Sequence, residues 1–334
     1  MEQNSFSQLE CNDLNDYKSI YDYLKNLTTY FQNLNTPKEH FTHQNIVEKI
    51  FKILTSRKFG YLGRSRSQKY YPNIMTTLRR DIEKLKPVLI YYDLGPGYHA
   101  STDPSNPSLS FSTGLGELLA LGQIALFYKE VRELYSPSVF FYIVIDNLCG
   151  YATNDISIDK TLNYVSNLRQ LIKDLKLGKI VSVLVESENF SIERYNSIMN
   201  KYLLNYSSLD ISIADIENVS RFLGRKCDKK EAEEKISRYK IAGTVTEALL
   251  AEIIDGIRLT QRATEDTLCF RSFPGSDQRI QVGQVALTKS KKGKIMPILI
   301  TDKNISDYDI IKIDTTEILP KSIPNILYAV QRFI

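Results

Sequence analysis

Two polar stretches, each following an apolar run, hold most of the residues that could do chemistry. The first, Asp93 to Thr113, reads DLGPGYHASTDPSNPSLSFST. Its Gly, Ser and Asn content suits a loop whose backbone N–H groups wrap an anion. About 15 structureless residues are unusual in a compact domain. His99 lies in this loop, where an imidazole can give or take a proton at neutral pH. The competing reading is an ordinary surface loop with a structural histidine. The second stretch, Asp146 to Asp155, reads DNLCGYATND. Asp146 comes straight after the apolar run VFFYIVI, so it stands at the mouth of a sheet. There a carboxylate can bind an ammonium group, a sugar hydroxyl or a metal. Metal binding is the weaker option, because Asp159, the third member of a trio with Asp146 and Asp155, is better explained as a helix cap.

Basic groups come from two places. Arg64 and Arg66 lie in a segment with Gly and Ser, and Arg258, Arg262 and Arg271 lie around a predicted strand, Gly256 to Arg262. Planar guanidinium groups suit phosphate and carboxylate. Taken singly, each is more simply a surface residue. GxSxG, GxxxxGK[ST], HExxH and a GxGxxG after a strand are all missing, which argues against the common hydrolases, P-loop ATPases and Rossmann dehydrogenases. The four cysteines, Cys11, Cys149, Cys227 and Cys269, are scattered, so a zinc site is not expected and no cofactor is assigned.

These groups need elements to position them. Pro87 to Tyr92 (PVLIYY), Val139 to Ile145 and Ile180 to Val185 are apolar runs of the kind found in strands covered on both faces. Between them the spacing predicts two helices. One runs from about Leu115 to Leu134, with Ala120, Ile124, Phe127, Val131 and Leu134 as an apolar stripe, Gly114 as N-cap and Glu117 at the third position. The other is capped by Asp159 and carries Leu162, Val165, Leu168, Leu171 and Leu175. Alternating strands and helices make the fold class α/β, a mainly parallel sheet flanked by helices. Residues 1–40 read as a helical N-terminal extension and 41–334 as the α/β domain, with a charged helical insertion at about 188–241. Ile280 to Leu287 and Lys294 to Ile300 suggest an antiparallel C-terminal hairpin, and Asp309 to Ile313 a last strand.

The chain has 334 residues, 43% apolar and 25% charged, with a net charge of +4. That balance excludes global disorder. The charge is too small and too evenly spread to argue for nucleic acid or membrane partners, so the expected partners are small molecules. Met1 to Asn15 has no apolar signal core, and the longest apolar run is far short of a membrane span. A cytoplasmic protein with reduced thiols is the expectation; the oligomeric state is left open.

From Pro87 to Val185 the chain resembles the isocyanide (isonitrile) synthases, the pyoverdine- and dityrosine-biosynthesis proteins. That family has a "PI-x-F-V-L-P" strand, a Lys-rich loop, "P-D-L-G-E-x-L-A-L" opening a helix, "Y-x-P-G-A", an apolar strand ending "S-D-G", and "F-x-D" before another helix. Here the order is KPVLIYYDLGPG, STGLGELLAL, LYSPSVFFYIVIDN and YATNDISIDKTLNYV. Leu115, Gly116 and Glu117 match the helix-opening motif, and Asp146 matches the strand-end Asp. DGIRLTQR, Asp255 to Arg262, is similar to the "x-R-L-S-I-H" segment, and KGKIMPILIT to the strand after it. The chain departs from the family in three places: there is no lysine between Asp93 and Thr113, Arg262 stands near the family's histidine, and there is no tryptophan.

The resemblance implies an enzyme of specialised metabolism that joins the amino group of an aromatic amino acid to a carbon from ribulose 5-phosphate. The candidates for that chemistry are His99, Glu117 and Asp146 as acid–base groups, and Asp155, Arg258, Arg262, Arg271, Arg64 and Arg66 as substrate contacts. The departures support an alternative, a repurposed member that binds an amino acid or a small anion without isonitrile chemistry. The helices read at 1–40 and 188–241 leave a third reading, a structural or interaction protein.

Overall fold

The computed structural model describes residues 17–35, 45–56, 58–61, 71–93, 113–204, 211–223, 225–260, 268–270, 285–289, 295–299, 305–323 and 326–332. Six strands form the main sheet: β1 (Gly60–Tyr61), β2 (Val88–Asp93), β3 (Val139–Ile145), β4 (Val181–Val185), β5 (Ile257–Thr260) and β6 (Leu268–Phe270). Their order is β1-β6-β5-β2-β3-β4. Strands β6, β5, β2, β3 and β4 run parallel, and β1 closes one edge antiparallel to β6. The α/β expectation with a mainly parallel sheet is what the structure shows. Strand β4 differs from its reading as a strand covered on both faces: it is an edge strand with Ser182 exposed, and it starts at Val181.

Ten helices flank or follow these strands among the described residues. The first six are α1 (Tyr17–Gln32), α2 (Ile46–Leu54), α3 (Tyr71–Glu83), α4 (Leu115–Arg132), α5 (Asn147–Asn154) and α6 (Ile158–Asp174). Then come α7 (Glu186–Asn189), α8 (Ile192–Leu204), α9 (Ile213–Leu223) and α10 (Lys229–Ile253). Helix α1 packs into the main core through Ile20, Tyr23, Leu24, Leu27 and Phe31, a 3–4 residue repeat that puts all five on one face. Helix α4 is more than an amphipathic stripe. Every residue from Leu115 to Tyr128 is buried, because α1, α2, α6, β3 and the second sheet surround it. An all-round buried helix needs an all-round apolar sequence, and LGELLALGQIALF is one with two polar exceptions. Helix α6 begins at Ile158 with Ser157 as N-cap, which corrects the reading of Asp159 as the cap; Asp159 lies in the first turn, where a carboxylate favours the helix dipole.

The main sheet uses its two faces differently. Val88, Ile90, Tyr92, Phe141, Ile143 and Val183 point into the core with α1–α4 and α6. Val144 on the other face packs with Leu250 and Ile254 of α10, joined by the half-buried Tyr91, Tyr142 and Leu184. At the start of β5 the backbone comes close to β2: a Cβ on Gly256 would sit 2.7 Å from the Leu89 carbonyl oxygen. Gly256→Ala is therefore expected to cost about 1–3 kcal/mol by overpacking. Guanidinium unfolding checks this, and a variant as stable as the wild type would show that β5 can move off β2.

The C-terminal region is a second sheet of β7 (Val285–Lys289), β8 (Ile295–Leu299), β9 (Tyr308–Asp314) and β10 (Ile326–Arg332), in the order β8-β7-β10-β9. Strands β7 and β8 pair antiparallel, as the expected hairpin requires. The hairpin is only half of the sheet, since β10 inserts parallel to β7 and antiparallel to β9. No helix of the described residues is long and apolar enough to cross a membrane.

Candidate functional site

Strands β3 and β4 are parallel neighbours with Ile145 opposite Val185. The next residue on each is acidic. Asp146 and Glu186 therefore leave the carboxyl edge of the sheet side by side, since paired strands lie about 4.8 Å apart. The polar stitch continues one residue on: the Asn147 side chain donates to Ser187 Oγ (2.7 Å), and Ser187 N–H donates to Asn147 Oδ1 (3.1 Å).

Asp146 is the N-cap residue of α5, yet its side chain makes no capping bond. Glu186 does that work from the neighbouring strand. Its Oε2 accepts from the backbone N–H groups of Leu148 (2.9 Å) and Cys149 (3.1 Å), the second and third residues of the helix. An aspartate at this position ordinarily takes these bonds itself. Here its carboxyl group is left out of the cap, half-buried at the sheet's mouth.

Glu186 is wholly buried. Burial pushes its pKa up to about 8, and the Asp146 carboxylate adds to the rise, against the pull of the two N–H groups. Around it stand Cys149, Tyr195 of α8 and Thr246 of α10. Tyr195 donates to the Ala242 carbonyl (2.8 Å) and meets Thr246 Oγ1 at 3.2 Å. Burial also raises the Cys149 thiol and the Tyr195 phenol, so both stay protonated near neutral pH. Leu148, Cys149, Phe190, Tyr195, Ile241 and Val245 wall this cluster with apolar surface.

Among the other candidates, Glu117 opens α4, Asp155 ends α5 and Arg258 lies on β5. Glu117 is 2% exposed and caps its own helix: Oε2 accepts from Gly114 N–H (2.7 Å), and Oε1 accepts from Tyr164 Oη–H (3.1 Å). It thereby ties the start of α4 to Tyr164 of α6. Asp155 is exposed in a left-handed conformation (φ 54°) at the C-cap of α5. There Lys235 and Arg238 of α10 donate to the Thr153 and Ala152 carbonyls, the cation placement a helix C-terminus favours. Arg258 lies on β5 opposite Tyr91 and pairs with Glu247 of α10. His99, Arg64, Arg66, Arg262 and Arg271 lie outside the described residues. Strands β2 and β3 are adjacent, and β2 ends at Asp93 opposite Val144, two residues before Asp146. Sequence reasoning missed Glu186, for which the available signal was an acidic residue directly after a third apolar run.

A mainly parallel sheet flanked by helices makes this an α/β protein, a class in which ligands ordinarily sit beyond the carboxyl ends of the strands. Within that class the fold is that of a particular solved structure, the PvcA protein from Pseudomonas aeruginosa. The TM-score is 0.61 at 13% identity, over 86% of this chain and 100% of that one. Tryptophanyl-tRNA synthetases from Plasmodium falciparum and Aeropyrum pernix also align, both with a TM-score of 0.31, over 55% and 54% of their chains. That score is too low to carry an argument. No family model and no curated relative matches the sequence.

Proposed function

We propose that this chain is an isocyanide-synthase-like enzyme of specialised metabolism. It acts on the amino group of an aromatic amino acid, with ribulose 5-phosphate as carbon donor. The observation that carries this reading is Asp146 at the carboxyl edge of β3, outside its own helix cap, on a fold that matches PvcA along that protein's whole length. The sequence resemblance to the isonitrile synthases supports this, since their strand-end aspartate matches Asp146 in motif order.

Asp146 receives the ammonium group and takes protons from it, and His99 in the neighbouring loop is the second acid–base group. Imine formation between an amine and a ketone needs such transfers. Glu117 contributes by holding the start of α4. Asp155 and the arginines 64, 66, 258, 262 and 271 are assigned to the substrate's polar and anionic groups. The absence of lysine between Asp93 and Thr113 favours a second reading, amino-acid binding without turnover.

Thermal shift with tyrosine, tryptophan and ribulose 5-phosphate tests both. A ligand at about 100 times its Kd adds roughly 2.7 kcal/mol of stability. Stabilisation by an amino acid, absent with its deaminated analogue, is the expected result. Isonitrile product by mass spectrometry separates enzyme from binder. No stabilisation by any of the three ligands would sink both readings.

A further inference from the structure

We infer that Asp146 and Glu186 act as one acid pair holding a single proton, with the proton on Glu186 and the charge on Asp146, so that an amine binding at Asp146 drives the proton off Glu186. This rests on the reading of Asp146 as the amine-facing group, but the pair itself stands on geometry. The Ile145–Val185 register sets the two carboxyl groups next to each other. Two like charges at that spacing in a buried place repel strongly, and one of them is more stable protonated.

The surroundings decide which one. Glu186 is wholly buried, while Asp146 is half-buried and reaches the sheet's mouth. Glu186 Oε2 already accepts two N–H groups, and Oε1 makes no hydrogen bond of ordinary length and angle. Thr246 of α10 also faces Glu186 and favours its charged form, against the larger opposing effects of burial and Asp146. Tyr195 donates to the Ala242 carbonyl and also meets Thr246 Oγ1, where either hydroxyl can be the donor. Oε1 is thus the place for the proton. The titratable groups facing Glu186 are Asp146 from the end of β3, Cys149 from α5 and Tyr195 from α8; α10 presents Thr246. The thiol and the phenol stay neutral, so among the described residues the charge that bears on Glu186 is that of Asp146.

When an ammonium group pairs with Asp146, the repulsion that kept Glu186 protonated is cancelled. Glu186 then ionises, and its proton passes to the solvent by way of Asp146. The two N–H groups of α5 already hold Oε2 where the carboxylate needs them. Glu186 is a positioning residue: it sets the charge state of Asp146 and the start of α5, and does not itself meet the ligand.

Two measurements test this. The first uses the ligand-free protein and follows Tm against pH for wild type, Glu186→Gln and Asp146→Asn. Above the ordinary glutamate range the unfolded chain has lost this proton and the folded chain has kept it. Stability therefore falls as pH rises, until Glu186 ionises near pH 8. Wild type should lose several degrees more than Glu186→Gln between about pH 5 and about pH 8. In Asp146→Asn the fall should end at lower pH. Three superimposable profiles would overturn the pair. If the variants do not fold, infrared spectra of the wild type decide: a protonated-carboxyl band present near neutral pH and lost by about pH 9.5 supports the pair, and its absence near neutral pH overturns it.

The second measurement is calorimetry of tyrosine binding in two buffers of different ionisation enthalpy. Wild type should release protons on binding and Glu186→Gln should not. Equal release by both overturns the coupling. If tyrosine does not bind, the amine reading of the site fails, and the pH profiles still decide whether the proton is shared.

Discussion

Glu117→Ala is expected to lower the unfolding free energy by about 3–5 kcal/mol, the largest effect of any polar substitution foreseen in this chain. Three losses combine. The α4 N-terminus loses the acceptor for Gly114 N–H, Tyr164 loses the acceptor for its hydroxyl, and a cavity opens among fully buried neighbours. Tyr164 is wholly buried, and burial, then Glu117, raises its phenol, so it stays a donor. Tyr164→Phe removes the orphaned hydroxyl. In the double variant the second substitution should thus cost less than it does alone, by about 1–2 kcal/mol. Guanidinium unfolding of the four proteins gives the cycle. A Glu117→Ala variant within about 1 kcal/mol of wild type would show that water or a rearranged loop fills the gap.

The largest expected effect on activity comes from Asp146→Asn. The substitution keeps shape and polarity but removes the charge and the ability to take a proton. A general acid–base group contributes about 10²–10⁴-fold to turnover, and a loss of that size is expected in product formation from tyrosine and ribulose 5-phosphate. The fold should persist, because Glu186 and not Asp146 caps α5. Turnover unchanged in a folded Asp146→Asn protein would remove Asp146 from the chemistry.

The parallel core was legible because its central strands β2 and β3 are packed on both faces and read as unbroken apolar runs. VFFYIVI admits few other readings. Helix α3 was not legible. Its stripe of Ile74 and Leu78, with the half-buried Tyr71, Met75 and Ile82 beside them, is set among polar residues, one of which, Asp81, is buried against Arg80. Strand β10 was missed because its place depends on pairing with β7, far away in the chain, and ILYAVQR alone does not declare it. Asp146 could be found from its position after β3. Glu186 opens the polar segment ESEN, which reads as solvated surface. Its burial comes from strand register and from the N–H groups of α5, and neither is local information.

The main sheet also sets an order of events during folding. Strands β2, β3 and β4 are neighbours in sequence and in space, joined by α4, α5 and α6, and can collapse as one early unit. Strand β5 pairs with β2 only after α7 to α10 have been threaded between β4 and β5, and β1 must wait for β6. Joining such distant partners requires closing long loops before any contact rewards it. Native-state hydrogen exchange should show the difference as separate opening units. Amides of β3 exchange only with global unfolding, while those of the β1–β6 pair exchange through a smaller, cheaper opening that leaves β2 to β4 intact.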